Sequence, residues 1–138
     1  MKYLIRIPYV QPLNKETQNE TIKIIMELKK TCIQFGFSEN ISDLVVWQIN
    51  GDNMAPNINR KDFLLINTRV KQIDGSGIYA FLDDTKVIIR RVKEGLNGKI
   101  DLINDNSAYQ GYENIQMLNF EIGNLEVLGR VVFVGKIL

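Results

Sequence analysis

The chain has 138 residues, 45% hydrophobic, 24% charged and 9% aromatic, and its 17 Lys+Arg against 16 Asp+Glu leave a formal charge of +1. That is enough chain for one core and too little for two full domains, and the near-balance of charge argues against a strongly basic surface wrapped on nucleic acid. With no histidine and a lone cysteine, Cys32, the chain excludes an internal disulfide framework, a histidine-built zinc site, the Ser-His-Asp triad and the Cys-His dyad. No metal and no cofactor are expected. No apolar run reaches the roughly 18 residues of a membrane span, and the start at Met1–Pro8 is too short and interrupted for a signal peptide, so a cytoplasmic protein is expected.

In chain order, Tyr3–Ile7 is a short strand candidate ended by Pro8. Gln11 to Glu20 is polar, follows Pro8 and Pro12, and reads as a surface loop. Thr21 to Phe37 fits two patterns: Ile22, Ile25, Met26, Lys29 and Ile33 make a helical stripe, while Ile22, Ile24, Met26 and Leu28 alternate with period two. The favoured reading is a strand to Leu28, then a short helix over Lys29–Phe35 stopped by Gly36. Leu44–Ile49, rich in β-branched and aromatic residues, is a strand leading into Gly51-Asp52-Asn53-Met54.

Beyond it the pattern is nearly all β. Strands are predicted over Phe63–Asn67, Gly77–Leu82 and, after an Asp83-Asp84 turn, Lys86–Val92. Glu94-Gly95-Leu96-Asn97-Gly98 supplies a hairpin turn before the half-solvated strand Lys99–Ile103. Leu125–Val134 is a long last strand in which Gly129 marks a bend or bulge. The fold class is therefore mostly β, a curled domain with at most one short helix.

From Val45 onward the residues resemble a known family: the C-terminal domain of LexA and the lambda-type phage repressors, which are Ser-Lys self-cleaving peptidases of LexA-like, signal-peptidase-like fold. Its nucleophile turn, Gly-Asp-Ser-Met-x-Pro, is similar to Gly51-Asp52-Asn53-Met54-Ala55-Pro56, and its next strand to Asp62–Ile66. Gly77-Ile78-Tyr79 resembles a further strand. The lysine-bearing strand is matched by Ile89-Arg90-Arg91-Val92, the downstream Leu-x-x-Asn/Asp-Asn-x-x-Tyr segment by Leu102–Tyr109, and the closing Val-x-Gly-x-Val strand by Val127–Val132. The resemblance implies one LexA-like peptidase domain over residues 1–138, dimerising, with operator DNA read only by a helix-turn-helix that these residues do not supply.

The chemistry departs from that pattern. A Ser-Lys dyad needs a hydroxyl to lose a proton and a lysine that is neutral when it accepts it. The resemblance puts Asn53 at the nucleophile position and Arg90 at the base position. A carboxamide has no acidic O–H, and a guanidinium stays protonated above about pH 12 and cannot act as a base. The Ala-Gly or Cys-Gly pair that such proteins cleave has no counterpart between Met1 and Gly51. Lys86 lies four residues from the matched position, about 13 Å along a strand, and is no substitute. Arg90 is read either as a snorkelling surface arginine or as a donor to the Asn53 carbonyl oxygen or a nearby acid.

Other features have ordinary readings. Gly75-Ser76-Gly77 lacks the context of a phosphate loop and reads as a turn; Trp47 and Met54 read as core before they read as a peptide groove. Arg90-Arg91-Val92-Lys93 reads as a solvated strand end. The apolar residues Val132, Phe133, Val134 and Ile137 are the candidate dimer interface, by strand addition or face packing, with burial inside the monomer as the alternative.

The leading expectation is a catalytically silent LexA-like domain that mediates oligomerisation and regulation of a phage-type transcriptional regulator, without membrane or metal partners. The alternatives are an active self-processing or trans-acting peptidase of the same fold and a free-standing, anti-repressor-like binding partner.

Overall fold

Runs of β-branched and aliphatic residues separated by Gly, Asp and Asn become the strands of one sheet in the computed structural model, which describes residues 4–7, 15–36, 40–108, 114–118 and 125–137. The elements are β1 (Leu4–Ile7), α1 (Lys15–Gln34), β2 (Leu44–Gln48), β3 (Phe63–Asn67), β4 (Gly77–Asp83), β5 (Lys86–Glu94), β6 (Lys99–Ile103), β7 (Ile115–Leu118) and β8 (Leu125–Ile137). Sheet order is β2-β3-β8-β4-β5-β6-β7, with β1 pairing parallel to the end of β8 and the other pairs antiparallel. The curled, mostly β expectation is met.

Strand β8 is the seam of this sheet. Its first half, Leu125–Arg130, pairs with β4, and Arg130–Gly135 pairs with β3 on the other side. The register slips by one residue in each ladder, between Ala80 and Phe81 and between Leu65 and Ile66, so that Leu128 and Val132 are the extra residues of two bulges. Gly129 sits at the crossing, where a Cβ would lie 2.4 Å from the Asn67 carbonyl oxygen and 2.7 Å from Ile66 Cγ2. Only glycine lets the two backbones come that close, which explains the bend predicted at this position.

Alternation along the strands sorts the core. Leu64, Ile66, Ile78, Ala80, Ile89 and Val131 pack with Ile49, Met54 and Ile58 on one side. Tyr79, Phe81, Val92, Ile100, Leu102 and Val127 form a second cluster. On β3, Leu65 points opposite to Leu64 and joins Leu44, Phe133 and Cys32 in a third cluster, with Leu28 packed against it. Burial pushes the Cys32 thiol up to about 12, so it behaves as a small apolar group.

That third cluster explains why α1 is longer than expected. The strand over Thr21–Leu28 is corrected to helix, and so is the 15–20 part of the expected surface loop; residues 11–14 lie outside the described residues. Leu28 and Cys32 are one helical turn apart and meet the sheet together, whereas Met26, which the strand pattern would bury with Leu28, is exposed. Lys, Glu, Gln, Met and Leu favour helix, and neither Gly nor Pro interrupts the 20 residues. Gly36, at φ +77°, ends the helix as predicted, its N–H donating to the Ile33 carbonyl at 3.0 Å.

Residues of the expected interface on β8 are in part covered within the chain. Phe133 and Val134 are buried inside the same chain, Val132 packs against the cluster around Cys32, and Ile137 is paired to Ile7 of β1. A long apolar strand signalled burial, and the sheet's own strands provide it.

Gly129→Ala should lower stability by about 2–4 kcal/mol through forced separation of β8 from β3. Gly95→Ala, whose added Cβ would meet Lys99 O at an ordinary 3.5 Å, should shift stability by less than about 1 kcal/mol. Denaturant midpoints of the two variants against the parent chain check the contrast.

Candidate functional site at the 51–59 turn

The segment after β2 is held at both ends before it reaches the site. Ile49 N–H donates to the Asp62 carbonyl at 2.8 Å and Ile49 O accepts from Lys61 N at 2.7 Å, which closes the 49–62 excursion into a loop with adjacent feet. Lys61 takes a left-handed φ of 73° to make that closure. Met54 and Ile58, each 1% exposed, press the loop onto the sheet beside Leu64 and Ile89. The Ala55–Pro56 peptide is cis. Met54 is thus core, as expected, while Trp47 is not: at 41% exposure it stands beside Val45 on the outer strand β2.

A buried carboxylate reinforces the far foot of the loop. Asp62 accepts from Asn59 N at 2.8 Å and from Lys136 Nζ at 2.6 Å, tying the turn to the last residues of β8. Asp52 meets Arg60 at 3.1 Å, but both side chains are more than half exposed and such a pair contributes little.

At the head of the turn, Asn53 spends both amide hydrogens. Its Nδ2 donates to the Ile89 carbonyl of β5 and to Asn104 Oδ1, each at 3.1 Å. Arg90, the next residue on β5, is 4% exposed and donates from Nη1 to the same Ile89 carbonyl at 2.8 Å. The surface reading of Arg90 is therefore overturned. The two side chains the sequence singled out do come together, and their meeting point is a shared backbone acceptor. A carbonyl has two lone pairs and can serve both donors, and a buried guanidinium requires such partners.

Opposite the turn stands the loop that follows β6. Asn106 N donates to Asn53 O and Asn106 Nδ2 to Asp52 O, both at 2.9 Å, while Asn57 Nδ2 donates to Asp105 Oδ2 at 2.9 Å. Asn104 N donates to Asn114 Oδ1 at 2.8 Å, which anchors the loop to the start of β7. Of the turn residues singled out in the sequence, Gly51 is half-buried, Asp52 accepts from Asn106 through its carbonyl, Met54 is buried in the core and Pro56 is exposed. No sequence pattern on the 51–59 segment announced this clamp; the nearest signal is the Asn104-Asp105-Asn106 run itself.

The clamp has an ionic root. Arg91 grips Asp105 with two bonds, Nε to Oδ1 at 2.7 Å and Nη2 to Oδ2 at 2.8 Å. Arg91 was read with its neighbours as a solvated strand end; among them Lys93 is exposed, while Arg90 is buried and Arg91 is paired. Burial by itself would raise the Asp105 pKa, but the hydrogen bonds from Arg91 and Asn57 and the charges of Arg91 and Lys93 outweigh it and hold the carboxyl below its ordinary range. The same hydrogen bond raises Arg91. Chemically, the ensemble is a set of amide and guanidinium donors saturating carbonyl and carboxylate acceptors. The 51–59 segment carries no hydroxyl and no thiol. Among the described residues no group of His, Cys, Asp and Glu is placed to hold a metal ion, and no helix is long and apolar enough to cross a membrane.

The sequence model of the peptidase S24-like family matches residues 13–132. An uncharacterized HTH-type transcriptional regulator of Haemophilus influenzae is 36% identical over 90 residues, which cover 65% of this chain and 36% of that protein. The matched stretch is thus about a third of the relative's length.

Because the folded Asp105 pKa is lowered, its contribution to stability is complete above the ordinary carboxylate pKa and is lost as pH falls through the folded value. Asp105→Asn should cost about 1–3 kcal/mol near neutral pH and lose much of the acid-side slope. Denaturant titrations between about pH 2 and pH 7 compare parent and variant.

Proposed function

The chain belongs to the peptidase S24-like family, and on that premise we propose that it is a LexA-like repressor domain that has kept the peptidase scaffold and given up its chemistry. The observation that carries this reading is the state of Asn53. At the turn where relatives of this type hold a serine, this chain holds a carboxamide whose two hydrogens are bound by Ile89 O and Asn104 Oδ1. An amide nitrogen delocalised into its carbonyl is a poor nucleophile, and Arg90 beside it cannot accept a proton. Losing both members of a nucleophile–base pair removes covalent catalysis by several orders of magnitude.

What remains is a rigid module with a polar clamp in place of a reactive cleft. In this reading it supplies self-association and regulation to a cytoplasmic transcriptional regulator of the phage-repressor kind. DNA is read by a helix-turn-helix segment outside these 138 residues, in keeping with the helix-turn-helix type of the Haemophilus influenzae relative. The near-neutral charge of the chain fits a protein–protein role better than direct binding to phosphate.

Incubation at mildly alkaline pH, which deprotonates the lysine of an active dyad, should yield no cleavage fragments from the parent or from Asn53→Ala. Defined fragments that vanish in Asn53→Ala would replace this proposal with an active peptidase. Light scattering should give twice the chain mass; a monomer that pairs only with another regulator's matching domain would favour the anti-repressor alternative.

A further inference from the structure

The sequence contains two Asn-Gly pairs, Asn50–Gly51 and Asn97–Gly98, and the structure puts them in opposite circumstances. We infer that Asn97 is a site of spontaneous deamidation in the folded protein, while Asn50 is protected by the anchoring of the 51–59 turn.

The reaction needs only water. The backbone nitrogen of Gly98 attacks Cγ of Asn97 and gives up its proton to solvent base; the bond from Cγ to the side-chain nitrogen breaks, that nitrogen takes a proton back from the solvent and leaves as ammonia, and a five-membered succinimide is closed. Water then opens the ring at either carbonyl, giving aspartate or isoaspartate, with no change of oxidation state. A following glycine favours the attack because no Cβ shields the nitrogen or restricts its approach.

Asn97 lies at the tip of the β5–β6 hairpin, where every residue from 93 to 99 is exposed and the Leu96–Gly98 turn has no buried member. The tip is closed by Gly95 N–H donating to Lys99 O at 2.8 Å and by Lys99 N–H donating to Leu96 O. Asn97 is at φ 61° and ψ 34°, a left-handed conformation that asparagine visits as a single residue more readily than most side chains. Attack requires Asn97 to leave that conformation, and no core contact resists the move. Local opening of such a tip is among the least costly in a protein.

Asn50 is exposed too, but its neighbours are fixed. Ile49 is bonded to Asp62 and Lys61 on one side. On the other, the Asp52 carbonyl takes Ala55 N at 3.1 Å and Asn106 Nδ2 at 2.9 Å, and the Asn53 carbonyl takes Asn106 N at 2.9 Å. Gly51 is half-buried, its would-be Cβ only 3.2 Å from Asn53 Oδ1. Swinging the Gly51 nitrogen onto Asn50 Cγ would drag the whole clamped turn. Reaction at Asn50 therefore waits for the clamp to open.

The product matters for behaviour in solution. A carboxylate in place of the amide takes the formal charge from +1 to 0, that is +1 − 1, and a net charge near zero promotes association. Isoaspartate also inserts a methylene into the backbone of a three-residue turn.

The test is peptide mapping with isoaspartate detection on the native chain aged at mildly alkaline pH, beside a sample aged in urea. Residue 97 should gain the deamidated mass about tenfold or more ahead of residue 50 in the native sample, since opening free energies vary widely within one fold. In urea the two rates should converge. Asn97→Gln should remove the early product and its acidic shift on isoelectric focusing. Equal native rates, residue 50 leading, or an unreactive residue 97 in a native chain whose urea sample reacts would each overturn the inference.

Discussion

The architecture depends on one close approach between backbones, where Gly129 of β8 passes the Asn67 carbonyl with no room for a methyl group. A strand of 13 residues cannot stay flat and still pair with β4 along its first half and with β3 along its second. Two bulges and a glycine turn it from one neighbour to the other. Everything downstream of that geometry follows: the sheet curls, Leu64 and Ile66 meet Ile78 and Ile89 across it, and the Met54–Ile58 loop finds an apolar floor. Arg130, one residue on, closes the same corner by donating to the Asp74 and Ser76 carbonyls at 2.9 and 2.8 Å while standing over the Tyr79 ring.

On that floor the 51–59 turn is held by amides. Asn53, Asn57, Asn104 and Asn106 carry the contacts between two loops, and the Arg91–Asp105 pair fixes the loop that faces the turn. In a partly dry setting a satisfied network of this kind rigidifies, whereas an unsatisfied one is costly. Both amide hydrogens of Asn53 thereby serve the shape of the turn.

Much of this was legible in the residues. Strands β2 to β6 were readable because β-branched runs there are bounded by Gly, Asp and Asn, and Gly129 and Gly36 were readable because each does what only glycine does at little cost. The 21–28 segment was misread because Ile22, Ile24, Met26 and Leu28 satisfy period two while Leu28 and Cys32 satisfy the helix, and which pattern wins is decided by Leu44, Leu65 and Phe133, far along the chain. The apolar end of β8 was readable as buried but not as buried by what. A bond from Arg90 to the Asn53 carbonyl oxygen or an acid was one of two readings; that Asn53 and Arg90 would share the Ile89 carbonyl was not foreseen, since a backbone acceptor leaves no mark in a sequence. The clamp from Asn104–Asn106 was equally silent, being set by loop trajectories and not by periodicity.

The order of strands in space differs from their order in the chain, and this constrains how the protein is made. β3 and β4 are translated early and lie on either side of a strand that emerges only after residue 125. Until the ribosome has delivered that strand, the early hairpins have nothing to close on, and the unpaired edges of β3 and β4 are available to other chains. In a nascent chain of this design the strand between β3 and β4 is available late, and translation pauses between β6 and β8 would lengthen the interval in which chaperones or neighbouring polypeptides compete for those edges.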